Sequence, residues 1–147
     1  MTPLRLSHEI LISAPAAIVW RVTTDVAQWA DWSPTITAVL NWGGGPLIEG
    51  ARFDLKQPLQ RKRTWIVLHG ARQRLTLRTV EGDLTARHEL HEFDNGTLNR
   101  LMLEHRGSLG ALAWPALSLA LRMENAALKK RCEDQSTASG SGPARRP

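Results

Sequence analysis

The 147-residue sequence predicts a single α+β domain: a curved antiparallel β-sheet wrapped around a long C-terminal helix, with two short helices after the first strand. Three observations predict it. Short alternating segments between Thr35 and Arg106 are broken at near-regular intervals by Gly with a polar neighbour, the punctuation of an antiparallel meander. From about Leu109 to Asp134, apolar residues recur at helical spacing. Between the first strand and the meander, Pro15 and Ser33-Pro34 bracket two short helical patterns.

Leu6 to Ser13 reads as the first strand, with His8, Ile10 and Ile12 on one face. Pro15 falls in the first turn of a helix carrying Ile18, Val19 and Val22, with Ser13 as its cap, and Val26 and Trp29 resume on a second short helix. Strands follow at Ile36–Trp42, Ala51–Lys56, Thr64–Leu68, Leu75–Val80, Leu84–Phe93 and Thr97–Arg106. The third of these is expected to end at His69-Gly70. In the last helix Leu117, Leu121, Leu128 and Cys132 share a stripe that must pack on the sheet, and Pro115 marks either its first turn or a kink. The domain is assigned to residues 1–134, and the small, polar, breaker-rich residues 135–147 to a disordered tail. Six or seven twisted strands curl, and a helix laid in their concave side leaves space unfilled.

A hydrophobic fraction of 42% and a charged fraction of 22% suit a folded chain. Six Trp, two Phe and no Tyr remove the phenol from the available acids and donors. The single Cys132 excludes an internal disulfide or a thiolate metal cluster, and the N-terminus lacks a secretory-leader pattern. The expectation is therefore a reducing, cytoplasmic setting. The apolar run Leu109–Leu121 is too short to span a bilayer and contains Gly110, Pro115 and Ser118. A net charge of +5 raises the question of an anionic partner. Arg61, Lys62, Arg63, Arg72, Arg74 and Arg78 read as a solvated outer strand face, with no aromatic–basic interleaving or recognition helix to suggest nucleic acid.

Within this frame two side chains are candidates for chemistry. His88 shares a strand face with Leu84, Ala86 and Leu90, where a neutral imidazole could act as acid/base or orient a ligand carbonyl; a structurally hydrogen-bonded histidine is the alternative. Glu124 interrupts the apolar stripe between Leu121 and Leu128, as a polar anchor for ligand or as the partner of a sheet arginine. Trp32, Trp65 and Trp114 are candidate pocket walls, and Leu90, Leu101, Leu103, Leu117 and Leu121 face the same interior. Gly107-Ser108-Leu109-Gly110 lacks nucleophile-elbow spacing, the Gly43–Gly45 run precedes a strand, and no HExxH pair occurs. Neither a metal site nor a cofactor is expected.

Six segments resemble a known family. They are Ile12-Ser13-Ala14-Pro15-Ala16 with Val19-Trp20; Asp25 with Trp29 and Trp32-Ser33-Pro34; Gly50-Ala51-Arg52-Phe53; His88-Glu89-Leu90 followed by Asn95-Gly96-Thr97; Gly107-Ser108-Leu109-Gly110; and Glu124 with Leu128 to Glu133. In order and spacing, from about residue 6 to 134, they are similar to START-like (Bet v 1-like, SRPBCC) domains of the polyketide cyclase/dehydrase and lipid-transport type. The resemblance implies a helix-grip fold with a hydrophobic pocket and no universal catalytic motif. Where cyclase-like members use a pocket tyrosine, this chain has none.

The expected function is binding or transport of a hydrophobic small molecule (a lipid, polyketide or isoprenoid) in a cavity between sheet and helix. The alternatives are a cyclase or dehydratase using His88 with Glu124, and an interaction module presenting the basic strand face.

Overall fold

The structure, a computed structural model, describes residues 3–107 and 113–140. Seven strands form one antiparallel sheet: β1 Leu4–Ile12, β2 Ala38–Leu40, β3 Arg52–Lys56, β4 Arg63–Ala71, β5 Arg74–Thr79, β6 Leu84–Phe93 and β7 Gly96–His105. Their spatial order is β1-β7-β6-β5-β4-β3-β2, a meander whose last strand returns beside the first. Helices α1 (Ala16–Thr24) and α2 (Trp29–Trp32), joined by a short 3₁₀ turn, follow β1, and α3 (Ala113–Gly140) closes the chain. This is the helix-grip architecture that the sequence predicts.

Register converts the alternation of each strand into one continuous inner face. His8 of β1 lies opposite Leu101 of β7, Leu101 opposite His88 of β6, and His88 opposite Leu75 of β5. The same face carries Leu103 and Ala86 on one side of this row and Asn99 and Leu90 on the other. Further along the sheet it continues through Leu77, Val67, Trp65 and Phe53. The opposite face alternates charge, as in Arg74, Glu89, Arg100 and Glu9 across four strands.

Helix α3 packs along β1, β7 and α1. Leu121 meets Leu6 and Leu101, and Leu128 and Cys132 meet Ile12, Val19 and Leu90. The buried core falls into three clusters: one under β3–β5 with Trp29 and Trp65, one under α1 and Leu128, and a small one around Leu121. Half-buried Trp20 and Trp32 touch both of the first two.

Three local expectations are corrected, and the alternative left open at Pro115 is decided. Ser13 does not cap α1: Pro15 is the cap residue and makes no side-chain bond, and the free Ala16 N–H is taken by Glu92 Oε2 at 2.9 Å from the end of β6. Strand β4 continues through His69-Gly70 to Ala71, with a register shift after Val67, and the turn falls on Arg72-Gln73. Gly70 is needed for proximity, because a Cβ there would collide with the Leu47 carbonyl oxygen. Pro115 lies in the first turn of α3, where its missing N–H costs nothing. The helix also runs past Asp134 to Gly140, over residues assigned from sequence to a disordered tail. Gln135, which accepts from Arg21 Nη2 at 3.2 Å, ties that extension to α1. Residues 1–2, 108–112 and 141–147 lie outside the described residues.

Candidate functional site

Strands β6 and β7 place His88 at the middle of the inner face, where the three core clusters meet. Leu75 beside it belongs to the first cluster, Leu90 two residues along to the second, and Leu101 across the ladder to the third. Burial away from water pulls the His88 pKa down to about 4, so the imidazole is neutral at physiological pH. Its Nδ1 is buried and has no hydrogen-bond partner among the described residues. Yet the side chain as a whole is only half-buried, and so are Ala86 and Leu103 on the neighbouring row. Leu75, Leu77 and Leu101 around them are buried.

Trp65, buried on β4, and Trp32, half-buried at the end of α2, each keep a buried indole N–H without a partner among the described residues. Asn99 Oδ1 is another such atom. Asn99 donates through Nδ2 to Asn125 Oδ1 at 2.6 Å, and Asn125 Nδ2 reaches both the His8 carbonyl oxygen and His8 Nδ1 at 2.9 Å. This chain pins α3 across β7 and β1. Sequence reasoning passed over Asn125, although its place between Leu121 and Leu128 on the apolar stripe was a usable signal.

Glu124 turns to the segment after α2, where its Oε1 accepts from Ser33 Oγ and, at 2.8 Å, from Thr35 Oγ1. Burial raises its pKa against the pull of these two hydroxyls, which favours the neutral carboxyl form. No sheet arginine reaches it, and no hydrogen bond joins it to His88 among the described residues. The dyad considered from the sequence is not formed.

Of the remaining candidates, Leu90, Leu101 and Leu121 are buried in core contacts. Leu103 and Leu117 are half-buried against Leu6, Leu101 and Leu121. Trp114, two turns before Leu121 on the same side of α3, is 48% exposed. Arg63 leaves the basic outer face on which the sequence placed it. It sits beside Trp65 on the inner face and binds Asp83 Oδ1 at 2.5 Å and Glu81 Oε1 at 3.2 Å, while Thr79 Oγ1 donates to Asp83 at 2.7 Å. Burial alone would raise the Asp83 pKa, but the bonds from Arg63 and Thr79 outweigh it and lower it. Exposed Arg72, Arg74 and Arg78 remain outside, as do Arg61 and Lys62.

An open pocket of about 50 Å³ lies among the helices, lined by residues that include Arg21, Asp25, Trp32 and Arg131; it has room for little more than water. No cluster of three metal-ligating side chains occurs among the described residues. Burial pushes the Cys132 thiol up to about 12, which makes it unreactive.

A seven-stranded antiparallel sheet gripping a C-terminal helix, with polar atoms left without partners in its interior, is a helix-grip architecture. Residues 3–133 match the family described as polyketide cyclase / dehydrase and lipid transport, and the chain belongs to that family. Among solved structures it is similar to a START superfamily protein from Mycobacterium smegmatis, with a TM-score of 0.73, 18% identity, and coverage of 89% of this chain and 98% of that one. It is also similar to the Zhui aromatase/cyclase from Streptomyces (TM-score 0.69, 19% identity, 97% and 98% covered) and to a protein from Mesorhizobium loti (0.72, 15%, 90% and 98%). At such identities these likenesses show the fold. No curated protein matches the sequence.

Proposed function

We propose that this protein binds a hydrophobic small molecule bearing oxygen functions, held between α3 and the inner face of β4–β7. The observation that carries the reading is His88. A side chain at the centre of a sheet, deep enough to lose its proton affinity, should be covered completely if the interior were filled. His88, Ala86 and Leu103 instead keep accessible surface on the inner face, which supports the reading of unfilled space beside them. The stranded atoms add chemistry. Two indole N–H groups call for acceptors, Asn99 Oδ1 calls for a donor, and His88 Nδ1 can serve either way according to its tautomer. A plain hydrocarbon satisfies none of them, whereas a molecule with carbonyl and hydroxyl groups on an apolar frame satisfies several.

Catalysis by His88 is the weaker reading. An imidazole with a pKa of about 4 lacks the acidic imidazolium proton near neutrality and has little drive to accept one, and no carboxylate bonds to it among the described residues. The folded protein purified from cells and examined by native mass spectrometry is expected to carry a co-purified mass of a few hundred daltons. That mass should be released by organic solvent, and Trp65→Phe should reduce its occupancy. Ligand-free protein that also fails to take up any of a panel of oxygenated polycyclic and isoprenoid compounds would overturn the reading.

A further inference from the structure

The open pocket among the helices is lined by no residue of the sheet, so it is separate from the inner face around His88. Two arginines meet in it. Arg21 lies in the last turn of α1, and Arg131 lies on α3 one turn before Gln135. Gln135 Oε1 accepts from Arg21 Nη2 at 3.2 Å, which holds that guanidinium in place without neutralising it. Burial and Glu133 raise the Cys132 thiol pKa, while Arg131 and Arg21 act in the opposite sense. Both guanidinium charges therefore lie within electrostatic range of one buried atom of α3.

The carboxylates at this end of α3 are engaged with other groups. Glu133 is bound to Lys129 and accepts from the Ser13 N–H at 2.8 Å, and Asp134 pairs with Lys130 at 2.9 Å. Asp25 lines the pocket with the arginines, yet it makes an ion pair with neither among the described residues. Arg131 Nε is buried and has no hydrogen-bond partner among them. A guanidinium N–H shut away from water costs stability unless something accepts from it. Arg131 thus calls for an acceptor that the described residues do not supply.

We propose that this pocket binds free hydrogen phosphate, with Arg21 and Arg131 donating to its unprotonated oxygens and Asp25 accepting from its hydroxyl. A guanidinium fork suits phosphate oxygens. The Asp25 carboxylate makes the choice of anion: it repels an oxyanion without a hydroxyl and accepts from one that has it. Hydrogen phosphate keeps a hydroxyl near neutrality, whereas sulfate has none. A space of about 50 Å³ admits one tetrahedral oxyanion and little besides. Bound there, the ion bridges α1 and α3, so its occupancy stabilises the fold.

Titration of the ¹⁵N-labelled protein with sodium phosphate near neutrality, at ionic strength held constant with chloride, tests it. The Arg131 Nε–H signal should shift saturably and the melting temperature should rise with phosphate. Sulfate should do neither, and methyl phosphate, which is mostly without a hydroxyl at that pH, should bind more weakly. Arg131→Gln should weaken phosphate binding about tenfold or more, read from the midpoint of the melting-temperature rise. Asp25→Asn removes the repulsion and adds a donor, so it should let sulfate bind, a gain that misfolding does not mimic. An absence of saturable response to phosphate, an equal response of the wild type to sulfate, or binding that Arg131→Gln leaves untouched overturns the proposal. Methyl phosphate bound as tightly as phosphate overturns the assignment to the free ion.

Discussion

His88 illustrates how a single side chain couples burial to acid sensitivity. Its folded pKa of about 4 lies below the ordinary value of 6.5, so between those values the unfolded chain binds a proton that the folded chain refuses. The stability this provides is complete above about pH 6.5 and is lost as pH falls toward 4, by at most about 3 kcal/mol. Urea unfolding of wild type and His88→Gln from pH 7 to 4 should show that loss in the wild type and its absence in the variant; equal acid slopes would contradict it. Glu124, raised in pKa, acts in the opposite sense and cancels in this comparison. At this scale the sequence was partly legible. Strand alternation put His88 on the inner face, and helical spacing drew attention to Glu124. What the sequence lacked was the partner of each group. Ser33 and Thr35 reach Glu124 through a turn that no pattern encodes, and Arg63 looked like one more outer charge until the register set it beside Trp65.

In the β4–β5 hairpin the glycine and the turn fall at different places. Glycine commonly marks turns, and His69-Gly70 carries that pattern, whereas Gly70 is required by the close approach of Leu47. The actual turn residues, Arg72 and Gln73, have φ values of 56° and 64°, a two-residue turn that favours Asn-Gly. Replacing them with Asn-Gly should stabilise the fold by about 1 kcal/mol, read as a higher denaturant midpoint at unchanged slope. No gain would show that side-chain contacts of Arg72 or Gln73 offset their backbone strain. The other strands were legible to within a few residues because alternation and Gly-marked turns agreed. The start of β4 and the end of α3 depended on contacts with Asp83 and α1, which are remote in sequence.

On the scale of the whole molecule, order of elements and periodicity were enough to predict a sheet around a helix, because few other arrangements bury both apolar faces. They did not predict that the core would divide into three clusters with His88 at their meeting point. Domains of this size usually close around one contiguous core. A divided core is what a resident ligand would complete, and the proposed hollow beside Ala86, His88 and Leu103 is the claim from which the binding function follows. Its most direct test is the stability of Ala86→Phe, measured by urea unfolding together with ligand uptake. If space is there, the ring occupies it, stability is unchanged or higher, and ligand is excluded. If side chains already fill that interior, the added ring overpacks it and the protein loses about 1–3 kcal/mol, a result that would contradict the account.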